Sequence, residues 1–205
     1  MAEPLDALRA RAEACVLCAP HLPLGPRPVL RVSETARLLV VGQAPGTKVH
    51  ETGIPWNDAS GDRLRDWMGL DRHTFYDVAR IAILPMGLCY PGRAKGGGDA
   101  PPRPECGPLW QPAFLAALPR LETLLLVGSH AQAFHLGKAR APTMTETVRR
   151  FADHGPRLFP LPHPSWRNTA WMRRNPWFEA EVLPILKARV ALLVGRSPNQ
   201  TDERG

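Results

Sequence analysis

The sequence predicts a three-layer α/β/α domain around a central, mostly parallel four-stranded sheet. Short apolar runs recur at residues 37–41, 78–84, 121–127 and 158–161. None alternates polar with apolar residues, so each reads as a strand buried on both faces. Segments with helical spacing separate the runs, which is the β-α succession of a layered parallel sheet. The 205-residue length suits one such domain, and a content of 44% hydrophobic and 22% charged residues is that of a globular chain.

The elements follow in order. Residues 5–14 read as a short helix with Leu5 and Leu8 on one face. The proline-rich stretch at 20–28 cannot continue it. Residues 37–41 form a buried strand ending at Gly42, and the loop at 42–61 is long enough to suggest function. Residues 60–68 read as a helix with Ser60 at its N-cap and Leu64, Trp67 and Met68 inward. Residues 78–84 give a second strand that stops at Pro85, followed by a Gly- and Pro-rich insert over 90–104. A helix at 109–117, a strand at 121–127, a helix at 129–136 and a short strand at 158–161 come next. Residues 176–194 read as a helix kinked at Pro184. One domain over 1–195 and a disordered tail over 196–205 are expected.

Charge narrows the function only slightly. There are 26 Lys+Arg against 19 Asp+Glu, a formal net charge of +7. Nearly all of the positive charge is arginine, since Lys48, Lys95, Lys138 and Lys187 are the only lysines. A GC-rich genome raises arginine without selection on function, so the charge alone is a weak pointer to an anionic partner. No apolar run has the roughly 20 residues of a membrane span. Residues 1–11 lack the apolar core of a secretory signal. A cytoplasmic protein with no membrane partner is expected.

Three loops carry candidate chemistry. Gly42-Gln43-Ala44-Pro45-Gly46 is a tight turn after a buried strand, able to bring backbone close to a flat ligand. It fits neither a P-loop nor a dinucleotide fingerprint. Thr52-Gly53-Ile54-Pro55-Trp56-Asn57-Asp58 sets an aromatic after a Gly-x-Pro turn. Taken alone, Trp56 is better read as core. His163-Pro164-Ser165-Trp166-Arg167-Asn168 follows the last strand and offers a histidine for a proton or hydrogen bond.

In order and spacing these loops resemble the uracil-DNA glycosylase superfamily, nearest its iron–sulfur-bearing branch (family four) and family five. Leu125 through Ala131 also resembles that family's penultimate strand and glycine turn, and the likeness runs from about Cys15 to Val190. It implies a glycosylase that hydrolyses the N-glycosidic bond of uracil, or another deaminated base, flipped out of DNA. Such DNA is the implied partner of an expected monomer. The resemblance makes Gly42, Gln43, Ala44, Pro45 and Gly46 the lining of a base pocket. Trp56 would stack on the base, and His163 would hydrogen-bond it as negative charge builds. Ser165, Arg167 and Asn168 would grip phosphate.

Four cysteines add a second feature. Cys15 and Cys18 form a CxxC pair, joined later by Cys89 and Cys106. In the absence of a signal peptide the pair suits metal or redox chemistry better than a structural disulfide. Four thiolates suit an Fe–S cluster or zinc, and spacing does not separate the two. The resemblance favours a structural 4Fe–4S cluster, with zinc as the alternative.

The chain departs from the family pattern at several points. The first motif of the cluster-bearing branch usually has a carboxylate where Gln43 stands, and neither Gln43 nor Ala44 is a base. The candidate catalytic set is therefore His163, Asp58 and Gln43, with Glu51 in reserve. Between Asp77 and Cys89 there is no asparagine to read a uracil edge. In the insert, Arg93 and Lys95 could reach phosphate. Arg173, Arg174 and Asn175 between Trp171 and Trp177 form a second patch, with the tryptophans equally suited to core. The rival readings are a degenerate DNA- or base-binding member, and a thiol redox protein or small-molecule hydrolase.

Overall fold

Burial on both faces explains why the strands are apolar without alternation. A computed structural model describes residues 3–195. The tail at 196–205 lies outside the described residues. Strands β1 (Leu38–Val41), β2 (Ile81–Ile83), β3 (Thr123–Val127) and β4 (Leu158–Leu161) form one sheet in the order β2-β1-β3-β4. Every pairing is parallel, with Leu39 in register between Ala82 and Leu124. The helices are α1 (Leu5–Glu13), α2 (Thr47–Thr52), α3 (Ala59–Met68), α4 (Arg72–Phe75), α5 (Cys106–Ala117), α6 (Ser129–Leu136), α7 (Met144–Arg149), α8 (Thr169–Arg174) and α9 (Leu183–Gly195).

Alternate strand residues feed two cores. Leu38 and Val40 point to one, with Ile81, Ile83, Leu125 and Val127, beneath α3 and α9. Leu39 and Val41 point to the other, with Ala82, Leu124 and Leu126, beneath α1, α5 and α6. This is the expected three-layer α/β/α arrangement. Among the described residues no helix is long and apolar enough to cross a membrane.

Several boundaries differ from the sequence reading, each for a local reason. Asp58, not Ser60, is the N-cap of α3, because its side chain accepts from the Gly61 N–H at 2.8 Å. β2 is shorter than residues 78–84. Asp77 turns the chain first, its Oδ1 accepting from Ala79 N–H at 3.1 Å and its carbonyl from Ile81 N–H at 2.9 Å. α5 begins at Cys106, before the expected 109. The helix expected over 176–194 is split: Phe178–Val182 is a π-helical segment and α9 follows. Pro184 offers no N–H to a carbonyl one turn back, and the widened segment precedes it directly. Trp171 and Trp177 pack edge-to-face at 5.8 Å against the first core, which favours their core reading.

Candidate active site

The strand order places a switch point between β1 and β3, where open α/β sheets bind ligands at the carboxyl ends of their strands. A cavity of about 460 Å³ opens there. Its walls include Gly42 through Gly46 after β1, Pro85 after β2, and His163 and Ser165 through Asn168 after β4. Trp56 and Asp58 complete it from the loop before α3. The three loops singled out in the sequence thus meet at one pocket.

Trp56 is seated by strain and by two glycines. Its φ is 57°, a left-handed conformation that costs a bulky residue energy unless its surroundings fix it. They do. Its carbonyl accepts from Arg65 Nη1 at 3.2 Å, and the Pro55 carbonyl accepts from the Tyr76 hydroxyl at 2.7 Å. A Cβ at Gly61 would overlap the Trp56 carbonyl oxygen, and one at Gly42 would lie 2.7 Å from the indole. Trp56 is partly exposed to the pocket and packs against the first core with its other side.

His163 packs beside it, its ring centroid 5.7 Å from that of Trp56. Burial lowers its pKa below the usual imidazole value, with the Asp58 carboxylate pulling the other way. The ring is therefore neutral at neutral pH and keeps one N–H to donate. Asn168 Nδ2 donates to the His163 carbonyl at 2.7 Å and closes the turn. Arg63 Nη1, from α3, donates to the Ser165 carbonyl at 3.0 Å and fixes the loop from the other side.

This geometry agrees with the comparison to known families. Residues 31–187 match the Uracil DNA glycosylase superfamily. The chain belongs to that superfamily. For a uracil DNA glycosylase relative, the pocket therefore has its motif loops in one place.

Not every expected residue reaches the pocket of this superfamily member. Gln43 lines it, but its Nε2 donates outward to the Ala100 carbonyl of the insert at 3.0 Å. Asp58 lines it while capping α3 with Oδ1. Glu51 is exposed and does not line the pocket. Arg167 is exposed at the mouth, with Nη1 donating to the Gly97 carbonyl at 3.3 Å and its guanidinium over Trp166. Arg93 and Lys95 are exposed on the insert, outside the pocket lining.

Three residues escaped the sequence reading. Asp99 and Gly98 of the insert line the pocket, and Trp166 stands at its mouth, 76% exposed. A glycine-rich insert carries no periodicity, so nothing in the sequence placed Asp99. The position of Trp166, one residue past the His-Pro-Ser turn, was a usable signal.

The cysteines gather elsewhere. Cys15, Cys18, Cys89 and Cys106 line one small cavity beside Trp110 and Arg103. Leu88 N–H points at Cys106 Sγ at 3.3 Å. Burial pushes the Cys18 and Cys89 thiols up and that of Cys106 to about 12. Among the described residues no group of three or more His, Cys, Asp or Glu is arranged to hold a single metal ion. Four soft sulfurs around one cavity fit a thiolate-bound group, either zinc or an Fe–S cluster.

Proposed function

We propose that this protein is a DNA glycosylase that hydrolyses the N-glycosidic bond of uracil, or another deaminated base, extruded from DNA. The observation that carries the reading is Trp56 packed beside His163 in a pocket walled by both motif loops. A base inside a duplex is out of reach, so it must be flipped into such a pocket. There Trp56 offers a flat apolar face. The 42–46 turn brings backbone to the base edge. The leaving base carries off the electron pair of the broken bond, and negative charge grows on its oxygens. Neutral His163 donates its N–H to that charge in a site shielded from water. Ser165, Arg167 and Asn168 sit where phosphates flanking the extruded nucleotide would pass, and Trp166 stands ready to stack at the gap.

We also propose that Cys15, Cys18, Cys89 and Cys106 hold a 4Fe–4S cluster, as in the family-four branch, with family five the other near relative. The four-thiol cavity and the N–H directed at Cys106 support a thiolate-bound group, and the family likeness favours the cluster over zinc. Held by these four residues, the cluster would tie the N-terminal segment to both ends of the insert, a structural role apart from bond cleavage.

Single-turnover excision on oligonucleotides with uracil, hypoxanthine or xanthine tests the first reading, and iron and sulfide analysis of anaerobically purified protein tests the second. An abasic product from at least one substrate is expected. One observation favours a second reading, a binding module without hydrolysis: Gln43 stands where a carboxylate would act. Retention of damaged DNA on a gel with no abasic product would establish it.

A further inference from the structure

The pocket needs a group to activate water, and its first motif has none. Gln43 is not idle in that place: it grips the insert at Ala100, the residue next to Asp99. The insert is an ordered hairpin rather than a loose loop. Arg93 and Asp99 form an antiparallel bridge, Ala94 N–H donates to the Gly98 carbonyl at 3.0 Å, and Ala100 N–H to the Gly92 carbonyl at 2.8 Å. Arg167 clamps it from the second motif through the Gly97 carbonyl. Gly98 sits at φ +84°, a conformation that favours glycine, with the Arg167 guanidinium packed against it. Both motif loops thus hold one hairpin, and the side chain they hold at the pocket is Asp99. Its Oδ2 would lie 3.2 Å from a Cβ placed on Gly46, so the carboxylate faces the first motif directly.

We propose that Asp99 is the catalytic carboxylate that activates the hydrolytic water in this pocket. The assignment rests on the glycosylase reading above. In the step, the water oxygen bonds to the sugar C1′ and the C1′–N bond breaks, its electron pair leaving on the base. The water proton passes to Asp99, which later returns it to solvent, and the base anion takes up a proton. The products are an abasic site and the free base.

The chemistry of the site favours Asp99 over Asp58. Asp58 already accepts from the α3 N-terminus with Oδ1, which commits one of its carboxylate oxygens to the cap. Among the described residues no backbone N–H donates to the Asp99 carboxylate. Loss of water around its carboxyl and the nearby Asp58 charge raise its pKa, against the pull of Arg93 and Arg167. A carboxylate so placed is a stronger base than an ordinary surface aspartate. Asp99 is exposed in the free protein, and an extruded nucleotide would cover it.

The test compares wild type, Asp99→Asn and Asp58→Asn in single-turnover excision on whichever oligonucleotide wild type cleaves, with Kd measured alongside. Both substitutions keep size and shape, and asparagine still caps a helix. Asp99→Asn should slow excision by about 10²–10⁴-fold while binding weakens less than about threefold. Asp58→Asn should slow it less than about tenfold. If wild type cleaves and Asp99→Asn is within tenfold of it, the assignment is wrong and the glycosylase reading stands. A loss of binding that matches the loss of rate would also overturn it, marking Asp99 as a hairpin residue. If wild type cleaves none of the substrates, both fall together.

Discussion

The indole of Trp56 and the imidazole of His163 lie 5.7 Å apart with 33° between their planes. The rings touch, so they form one continuous side of the pocket, and a base seated against Trp56 would meet His163 at its edge. His163→Ala should therefore lower single-turnover excision by about 10²–10³-fold, the usual loss for one donor to a developing anion. DNA affinity should change by less than about threefold. Equal losses of rate and affinity would argue for a binding role alone.

The two glycines around Trp56 should behave differently. Gly61→Ala places a methyl on the Trp56 backbone oxygen, which has no freedom to move. Urea unfolding should show a loss of about 1–3 kcal/mol. Gly42→Ala meets only the indole edge, 2.7 Å away. That ring can tilt into the pocket, so stability should change by less than about 1 kcal/mol while excision falls about tenfold or more. Equal stability losses would contradict this division.

Acid should weaken the fold through buried imidazoles. His135, bonded at 3.1 Å to the Gln111 amide oxygen, has its pKa lowered by burial from 6.5 to about 4. Between those values the unfolded chain binds a proton that the folded chain refuses. Stability is therefore lost as pH falls from 6.5 towards 4, by an amount on the order of 3 kcal/mol for the whole window. His130 and His163, also lowered by burial, add loss of the same sign. Urea midpoints at about pH 7 and about pH 5 should converge in His135→Gln relative to wild type. An unchanged gap would remove His135 from the account.

Trp166 should matter for DNA and not for folding. It is 76% exposed, so Trp166→Ala should leave the melting temperature nearly unchanged. Affinity for damaged DNA should fall by about 1–3 kcal/mol, the range for one aromatic–base stack. Arg167→Ala should instead reduce the salt dependence of binding by about one phosphate contact. An unchanged salt slope would show that its guanidinium stays with Gly97.

The sheet was legible because burial on both faces leaves its mark in composition: β1 and β3 are apolar throughout. The motif loops were legible because glycine, proline and histidine mark turns. The ends of elements were less so. Asp58 and Ser60 are both good caps, and only the backbone shows which one accepts from Gly61. Val78 and Ala79 read as strand, but Asp77 turns them away. Asp99 left no trace at all. Its place depends on Gln43 and Arg167, which lie far from it in the chain and grip backbone carbonyls, a contact that no side-chain pattern in the insert encodes.

The insert leaves and returns to the body at Cys89 and Cys106, which line the same cavity. A segment anchored at both feet in one place can be replaced as a cassette. At its tip, Gly96 has no neighbour within 4 Å of where a Cβ would stand. Doubling the length of a flexible loop costs only about 0.6 kcal/mol in closure entropy. New residues could thus be tried over the pocket with little cost to the sheet. In this architecture the scaffold and the reacting group are separable parts, joined where Gln43 and Arg167 grip the hairpin.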